Sequence, residues 1–196
     1  MLITFEGIDG SGKTTQANRL KDYLESRGLK VHLFREPGGT GAGERIRDIL
    51  LEYDLDPLTE LFLFEASRVE LLRVIREALS RGEVVVLDRF TDSTLAYQGY
   101  GRGLNLDLVK RLNSLATQGT EAEITFLLDL DPEIALRRAG RKSRFDDPEF
   151  LRKVREGYLE IARSCPHRVV VLDASLPEEE VFLKIKDRVD RKLNLS

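Results

Sequence analysis

Five short runs of this chain are apolar with little interruption: LITFE (2–6), LKVHLF (29–34), VVVLD (84–88), ITFLLDL (124–130) and RVVVLD (168–173). Their length and β-branched content predict strands, and near-continuous apolar character is what parallel strands covered on both faces require. Between them lie stretches long enough for crossover helices. Strand alternating with helix predicts an α/β fold, a doubly wound parallel sheet with helices on both faces and right-handed crossovers. The punctuation agrees. Gly28 ends the first helix, and Gly119 closes a helix near 105–118. Asp56-Pro57, Asp131-Pro132 and Asp147-Pro148 each read as an N-cap followed by an N1 proline. Ser175 and Glu178 have the spacing of a capping box. No repeat or linker divides the chain, so a single domain is expected over residues 1–196.

Composition narrows the partners. With 41% hydrophobic and 33% charged residues in 196, the chain has the balance of a globular protein with one good core. A net charge of −3 speaks against an extended nucleic-acid-binding surface. One cysteine, Cys165, allows no intrachain disulfide, and no Cys or His spacing suggests zinc. The apolar runs are too short to span a membrane, and MLITFEGIDG turns acidic too early for a signal peptide. A cytoplasmic, reduced setting without membrane partners is expected. Arginine outnumbers lysine 22 to 9, which suits phosphate and carboxylate recognition.

The strongest chemical signal follows the first strand. FEGIDGSGKTTQ (5–16) contains G-x-x-x-x-G-K-T, Gly7 to Thr14, placed between a predicted strand and an amphipathic helix. Gly7, Gly10 and Gly12 let the backbone curl so that its N–H groups face phosphate oxygens, and the helix N-terminus adds its positive dipole end. Lys13 is placed for the outer phosphates and the Thr14 hydroxyl for Mg²⁺. Gly7, Ile8, Asp9, Gly10, Ser11, Gly12, Lys13, Thr14 and Thr15 thus form the cradle for a nucleoside triphosphate. Asp9 needs a metal-bound water or an arginine partner if it faces the anion, and otherwise points outward.

The acceptor of the phosphoryl group must be read elsewhere. N-K-x-D and D-x-x-G do not occur after Thr14, which argues against a GTPase switch. A small kinase needs a second anion site, an acceptor pocket and cations that neutralise the transferring group. REPGGTGAGE (35–44) follows the second strand, where ligands sit in open α/β sheets, although a plain βα turn has the same composition. DRFTDSTLAYQG (88–99) offers Asp88 at a strand end for Mg²⁺ and Arg89 as a phosphate clamp. Ser93, Thr94, Tyr97 and Gln98 then recur along one side. Phe64 and Arg68, four apart on a predicted helix, pair an aromatic plane with a guanidinium fork. A core phenylalanine with a surface arginine fits the same spacing. RRAGRKSRFDD (137–147) sets Arg137, Arg138, Arg141, Lys142 and Arg144 around Gly140, a basic flap or lid between two helices.

Taken in this order, FEGIDGSGKTTQ, REPGGT, Phe64 with Arg68, and DRFTDSTLAYQG resemble the signatures of the thymidylate kinase family over nearly the whole chain. The resemblance implies a five-stranded parallel sheet of the P-loop NTPase type with a short lid, and the reaction ATP + dTMP → ADP + dTDP with Mg²⁺. It further implies a homodimer, for which exposed apolar positions on the helix 57–80 are the expected surface. Matched by position, Phe64 stacks on thymine, Arg68 hydrogen-bonds its carbonyl edge, and Pro37 shapes the space near the 5-methyl group. Ser93, Thr94 and Gln98 line the base pocket, and Tyr97 crowds the ribose 2′ position. Arg35 and Arg89 handle the acceptor side, Arg89 being the better match for the dTMP phosphate, and Asp9 matches the acidic P-loop residue. Since Gly10-Ser11 offers no P-loop arginine, the resemblance is to the bacterial variety, in which lid arginines supply the catalytic charge. Arg141 and Arg144 match these best, and SRFDD replaces the family's Asp-Arg-aromatic-Glu pattern. Kinases for dUMP or UMP, a nucleoside kinase, and a non-enzymatic nucleotide switch are the alternatives.

Overall fold

A computed structural model describes residues 1–139 and 147–195. The first half of the chain gives β1 (Leu2–Glu6), α1 (Lys13–Ser26), β2 (Val31–Arg35), α2 (Gly41–Glu52), α3 (Pro57–Ser80) and β3 (Val84–Asp88). After β3 come a short α4 (Thr91–Thr94), a π-helical segment (Leu95–Gly101) and α5 (Leu106–Thr117). Next follow β4 (Ile124–Asp129), α6 (Pro132–Ala139), α7 (Pro148–Ser164), β5 (Val169–Asp173) and α8 (Glu178–Leu193).

All five strands are parallel, in the order β2-β3-β1-β4-β5, and helices flank the sheet. The predicted doubly wound α/β fold is therefore present. Burial follows strand position: every residue of central β1 is buried, whereas edge strands β2 and β5 are partly exposed. Side chains alternate between faces. Ile3, Phe5, Val86 and Phe126 share a core with Leu20 and Leu24 of α1, Val154 of α7 and Ile185 of α8. Leu2, Val85 and Leu87 pack instead with Leu71 and Ile75 of α3. Each fully buried apolar side chain of this kind contributes roughly 1.5–3 kcal/mol.

Most helix ends obey the expected chemistry. Asp56 accepts from Leu58 N at 2.8 Å, Asp131 from Glu133 N at 2.8 Å and Asp147 from Phe150 N at 3.0 Å. The capping box at Ser175 is not formed. Both the backbone N–H and the hydroxyl of Ser175 are donated to Asp173 Oδ1, at 2.9 and 2.6 Å, and Pro177 occupies the N-cap of α8. The nearer carboxylate in the turn after β5 takes the serine away from the helix. Strand β2 begins two residues later than its apolar run, because the N–H of Leu29 is donated back to Leu24 O at 3.1 Å and closes α1. The polar stretch after β3 continues from α4 into a π-helix rather than an α-helix, and the Arg102 N–H reaches Tyr97 O, five residues back, at 2.8 Å.

The order of strands sets the location of the site. The connection after β1 runs outward to β2, whereas the one after β3 crosses past β1 to β4, so a crevice opens beyond the carboxyl ends of β1 and β3. A partly buried ion pair ties α4 to the start of β5. Arg168, just before β5, donates to Asp92 of α4 through both terminal nitrogens, at 2.7 and 3.0 Å, and to Thr125 Oγ1 at 2.7 Å. Removing the cation leaves Asp92 uncompensated. Arg168→Met is expected to lower the free energy of unfolding by about 3 kcal/mol, read as a shift of the urea midpoint.

Candidate active site

The glycine-rich turn between β1 and α1 is built around close backbone approaches. At Gly10, with φ +81°, an added Cβ would lie 2.2 Å from the carbonyl oxygen of Ala135, so no side chain fits between the turn and α6. Gly12, also left-handed, stands at the N-cap of α1, and no side chain caps that helix end. An uncapped N-terminus beside a glycine turn leaves backbone N–H groups free to face an anion. Lys13 is 5% exposed, and its Nζ folds back to donate to Ile8 O at 2.9 Å. Thr14 Oγ1 donates to Asp88 Oδ2 from the end of β3, so a hydroxyl and a carboxylate meet beside the lysine.

Across the crevice stands Arg89, immediately after β3, with φ +74°. A non-glycine residue in this region is strained by about 1–3 kcal/mol, which the surroundings must offset. They do so at the guanidinium. Nη1 donates to Gly7 O at 3.0 Å, Ser93 Oγ at 3.0 Å and Tyr158 OH at 3.2 Å. Nη2 donates to Asp9 Oδ1 and to Tyr97 OH at 3.2 Å. Asp9 Oδ1 is also 3.6 Å from Lys13 Nζ, so one carboxylate separates two buried cations. The Arg89 guanidinium holds the Asp9 carboxyl well below the usual carboxylate range, against the effect of burial.

Two cavities meet at this point. One has Pro37, Phe64 and Tyr97 among its walls together with Arg68, Thr94 and Gln98. The other opens over Lys13, Thr14, Arg35 and Asp88. Asp9, Glu36, Arg47 and Arg89 line both. A third cavity lies behind the glycine turn, with Ser11, Thr15, Gln16, Arg138 and residues 174–178 around it. The molecule thus has an apolar slot and a polar hollow joined through a neck lined by two arginines and two carboxylates.

The family model described as thymidylate kinase matches residues 5–185. A thymidylate kinase of Prosthecochloris aestuarii is 50% identical, covering 96% of this chain and 92% of its own. One from Deinococcus radiodurans is 46% identical over 94% of each. The crystal structure of thymidylate kinase from Ehrlichia chaffeensis superposes with a TM-score of 0.81 at 40% identity, covering 96% of this chain and 98% of that one. The chain belongs to the thymidylate kinase family.

Within this thymidylate kinase framework, Phe64, Arg68, Pro37, Arg89, Ser93, Thr94, Tyr97, Gln98 and Asp9 all line the first cavity. Arg68 is not the surface residue that helical spacing also allowed: it is 1% exposed. Its guanidinium donates to Glu36 at 2.8 Å, Glu65 at 2.8 Å, Asn113 at 2.7 Å and Thr94 at 2.8 Å. Arg35 stands apart from the base slot. Its side chain is 55% exposed, pairs with Glu44 at 2.8 Å and faces the polar hollow. Arg138 donates to Ala174 O at 2.8 Å beside the third cavity, and Arg137 is exposed. Arg141, Lys142 and Arg144 lie outside the described residues.

Several site residues carry no local sequence signal. Arg47 of α2 donates to Pro37 O at 3.1 Å and faces both cavities, yet lies on a helix with no recognisable motif. Tyr158 is 69 residues from Arg89 along the chain. Glu36 sits inside REPGGT, where a fully buried acid between Arg35 and Pro37 was the available hint.

Glu6, the last residue of β1, accepts from Phe90 N at 2.8 Å, Tyr158 OH at 3.1 Å and Ser93 Oγ. Burial, reinforced by the charge of Asp92, pushes its pKa up to about 7, against the hydrogen bonds and Arg89. The folded protein therefore holds this proton more tightly than the unfolded chain. Stability from that proton is complete below the ordinary glutamate pKa of about 4.3 and is lost as pH rises through 7. Between pH 5 and 8 the wild type should lose roughly 1–3 kcal/mol relative to Glu6→Gln, measured by urea unfolding of both proteins across that range.

Proposed function

We propose that ATP, with Mg²⁺, is the phosphoryl donor and that the γ-phosphoryl passes directly and in line to the phosphate of dTMP. The chain is an enzyme, a thymidylate kinase, and its reaction is the phosphorylation of dTMP to dTDP. The observation that carries the reading is that a slot with aromatic walls and the hollow over Lys13 and Thr14 share one neck, lined by Asp9, Glu36, Arg47 and Arg89. Two phosphate groups brought to either side of that neck are neighbours, which direct transfer requires.

The roles follow from position. Phe64 and Tyr97 bracket the base and sugar, with Arg68, Thr94 and Gln98 supplying polar contacts at the slot's inner end. Arg89 and Arg47 face the acceptor phosphate, and Arg35 adds charge at the rim. Lys13 stands on the donor side, and the glycine turn cradles the phosphates. The donor base lies in the third cavity, against Gln16, Arg138 and the turn after β5. Thr14 and Asp88 offer hydroxyl and carboxylate oxygens, the hard ligands Mg²⁺ takes, and phosphate oxygens complete such a site. When bound, the ion neutralises charge on the phosphates. Arg141 and Arg144 are the lid residues assigned to the transferring group.

The setting is cytoplasmic and the assembly a homodimer. Supporting the first, no helix among the described residues is long and apolar enough to cross a membrane. Supporting the second, α3 exposes Leu58, Phe62 and Val69.

One assay tests the function. ADP release from ATP, followed with dTMP, dUMP, UMP, dCMP and thymidine as acceptors, should be fastest with dTMP and near background with thymidine. Slow hydrolysis of ATP unaffected by dTMP would overturn the reading in favour of a nucleotide-binding switch. Phe64→Ala should raise the KM for dTMP about tenfold, as expected for loss of aromatic stacking, and leave the KM for ATP within about twofold. Equal changes for both nucleotides would return Phe64 to a packing role.

A further inference from the structure

Arg89 has an unusual demand placed on it. Its backbone is left-handed, and its head must stand in one place to serve a phosphate in the neck. The groups that hold it form a single buried cluster. Ser93 Oγ and Tyr158 OH both accept from Nη1, and they lie 2.7 Å from each other. A hydroxyl that accepts from arginine must send its own proton elsewhere. Both protons are directed toward Glu6: Ser93 Oγ donates to Glu6 Oε2, and the Tyr158 hydroxyl faces Ser93 Oγ at 2.7 Å and the same carboxylate oxygen at 3.1 Å. Their lone pairs are thereby turned toward the guanidinium. The other oxygen of Glu6 takes the N–H of Phe90 at 2.8 Å, which fixes the backbone directly after Arg89. One carboxylate therefore constrains both ends of the arginine. Glu6 is 1% exposed and Tyr158 2% exposed, so neither is part of a solvated surface.

We infer that Glu6 and Tyr158 are positioning residues for the acceptor-phosphate arginine: Tyr158 from α7 and Glu6 from β1 set the place and direction of the Arg89 head. The inference rests on the reading of Arg89 as the residue that meets the dTMP phosphate. Tyr158 does not touch the substrate slot, and neither does Glu6; both act through Arg89 and Ser93. Misplacing a charged clamp by a fraction of an ångström weakens a transition state more than it weakens the fold.

The test compares Tyr158→Phe, Glu6→Gln and Arg89→Lys, singly and with Tyr158→Phe added to Arg89→Lys, in steady-state kinetics on the intact protein. Tyr158→Phe and Glu6→Gln should each lower kcat/KM for dTMP about tenfold, with the KM for ATP within about twofold. Tyr158→Phe should produce no further loss once Arg89 is lysine, since residues acting through one group are not additive. A folded Tyr158→Phe protein with dTMP kinetics within twofold of wild type would overturn the inference. So would a tenfold loss that persists undiminished in the Arg89→Lys background. If Arg89→Lys alone leaves kcat/KM for dTMP unchanged, the assignment of Arg89 fails first and the positioning role falls with it. Should Glu6→Gln not accumulate as folded protein, Tyr158→Phe decides the matter by itself.

Discussion

Asp9 sits between two buried cations, Lys13 on the cradle side and Arg89 on the acceptor side. Two positive groups out of water and this close repel strongly unless an anion separates them. The single carboxylate in the glycine turn supplies that anion and ties the turn to the residue after β3. Much of the architecture serves this arrangement. β1 delivers Asp9 on the turn that follows it, and β3, paired to β1 with Phe5 beside Asp88, delivers Arg89 one residue later. Adjacent parallel strands ending at the same level bring the two halves together with no long loop between them.

The two buried arginines of the slot are balanced differently, and the difference divides the cavity. Arg68 faces two carboxylates, Glu36 and Glu65, and its remaining donors go to Asn113 and Thr94. Its charge is compensated where it stands, so that end of the slot suits a neutral, hydrogen-bonding ring. Arg89 hydrogen-bonds one carboxylate, Asp9, and otherwise neutral oxygens, while Asp88 and Glu6 act on it through space. One end of the slot thus holds an arginine bonded to two carboxylates, and the other an arginine bonded to one.

Where the determinants are contiguous, the sequence is sufficient. The strand, glycine turn and helix of residues 2–26 are specified by neighbours within one or two turns, and the predicted strand and helix stand where expected. The same holds for the three aspartate caps, because an N-cap is a local contest for a backbone N–H. Ser175 shows the limit of such reasoning: two acceptors within reach compete, and the closer Asp173 wins. The π-helix at Leu95–Gly101 was likewise not legible, since its hydrogen bonds shift by one residue without changing which residue types are present.

By itself, then, the sequence determined the α/β class, the strand, glycine turn and helix at the start of the chain, and the identity of most polar and aromatic residues that line the slot. Local hydrogen bonding and the alternation of apolar residues are enough for these. The tertiary structure alone decided that Arg68 is sealed between Glu36 and Glu65, that Arg35 stands at the rim, and that Arg47 enters the neck. It also brought Tyr158 from α7 and Glu6 from β1 onto one arginine. Those outcomes depend on which helix packs over which strand and on how buried charges are neutralised, and the partners in such contacts lie tens of residues apart along the chain.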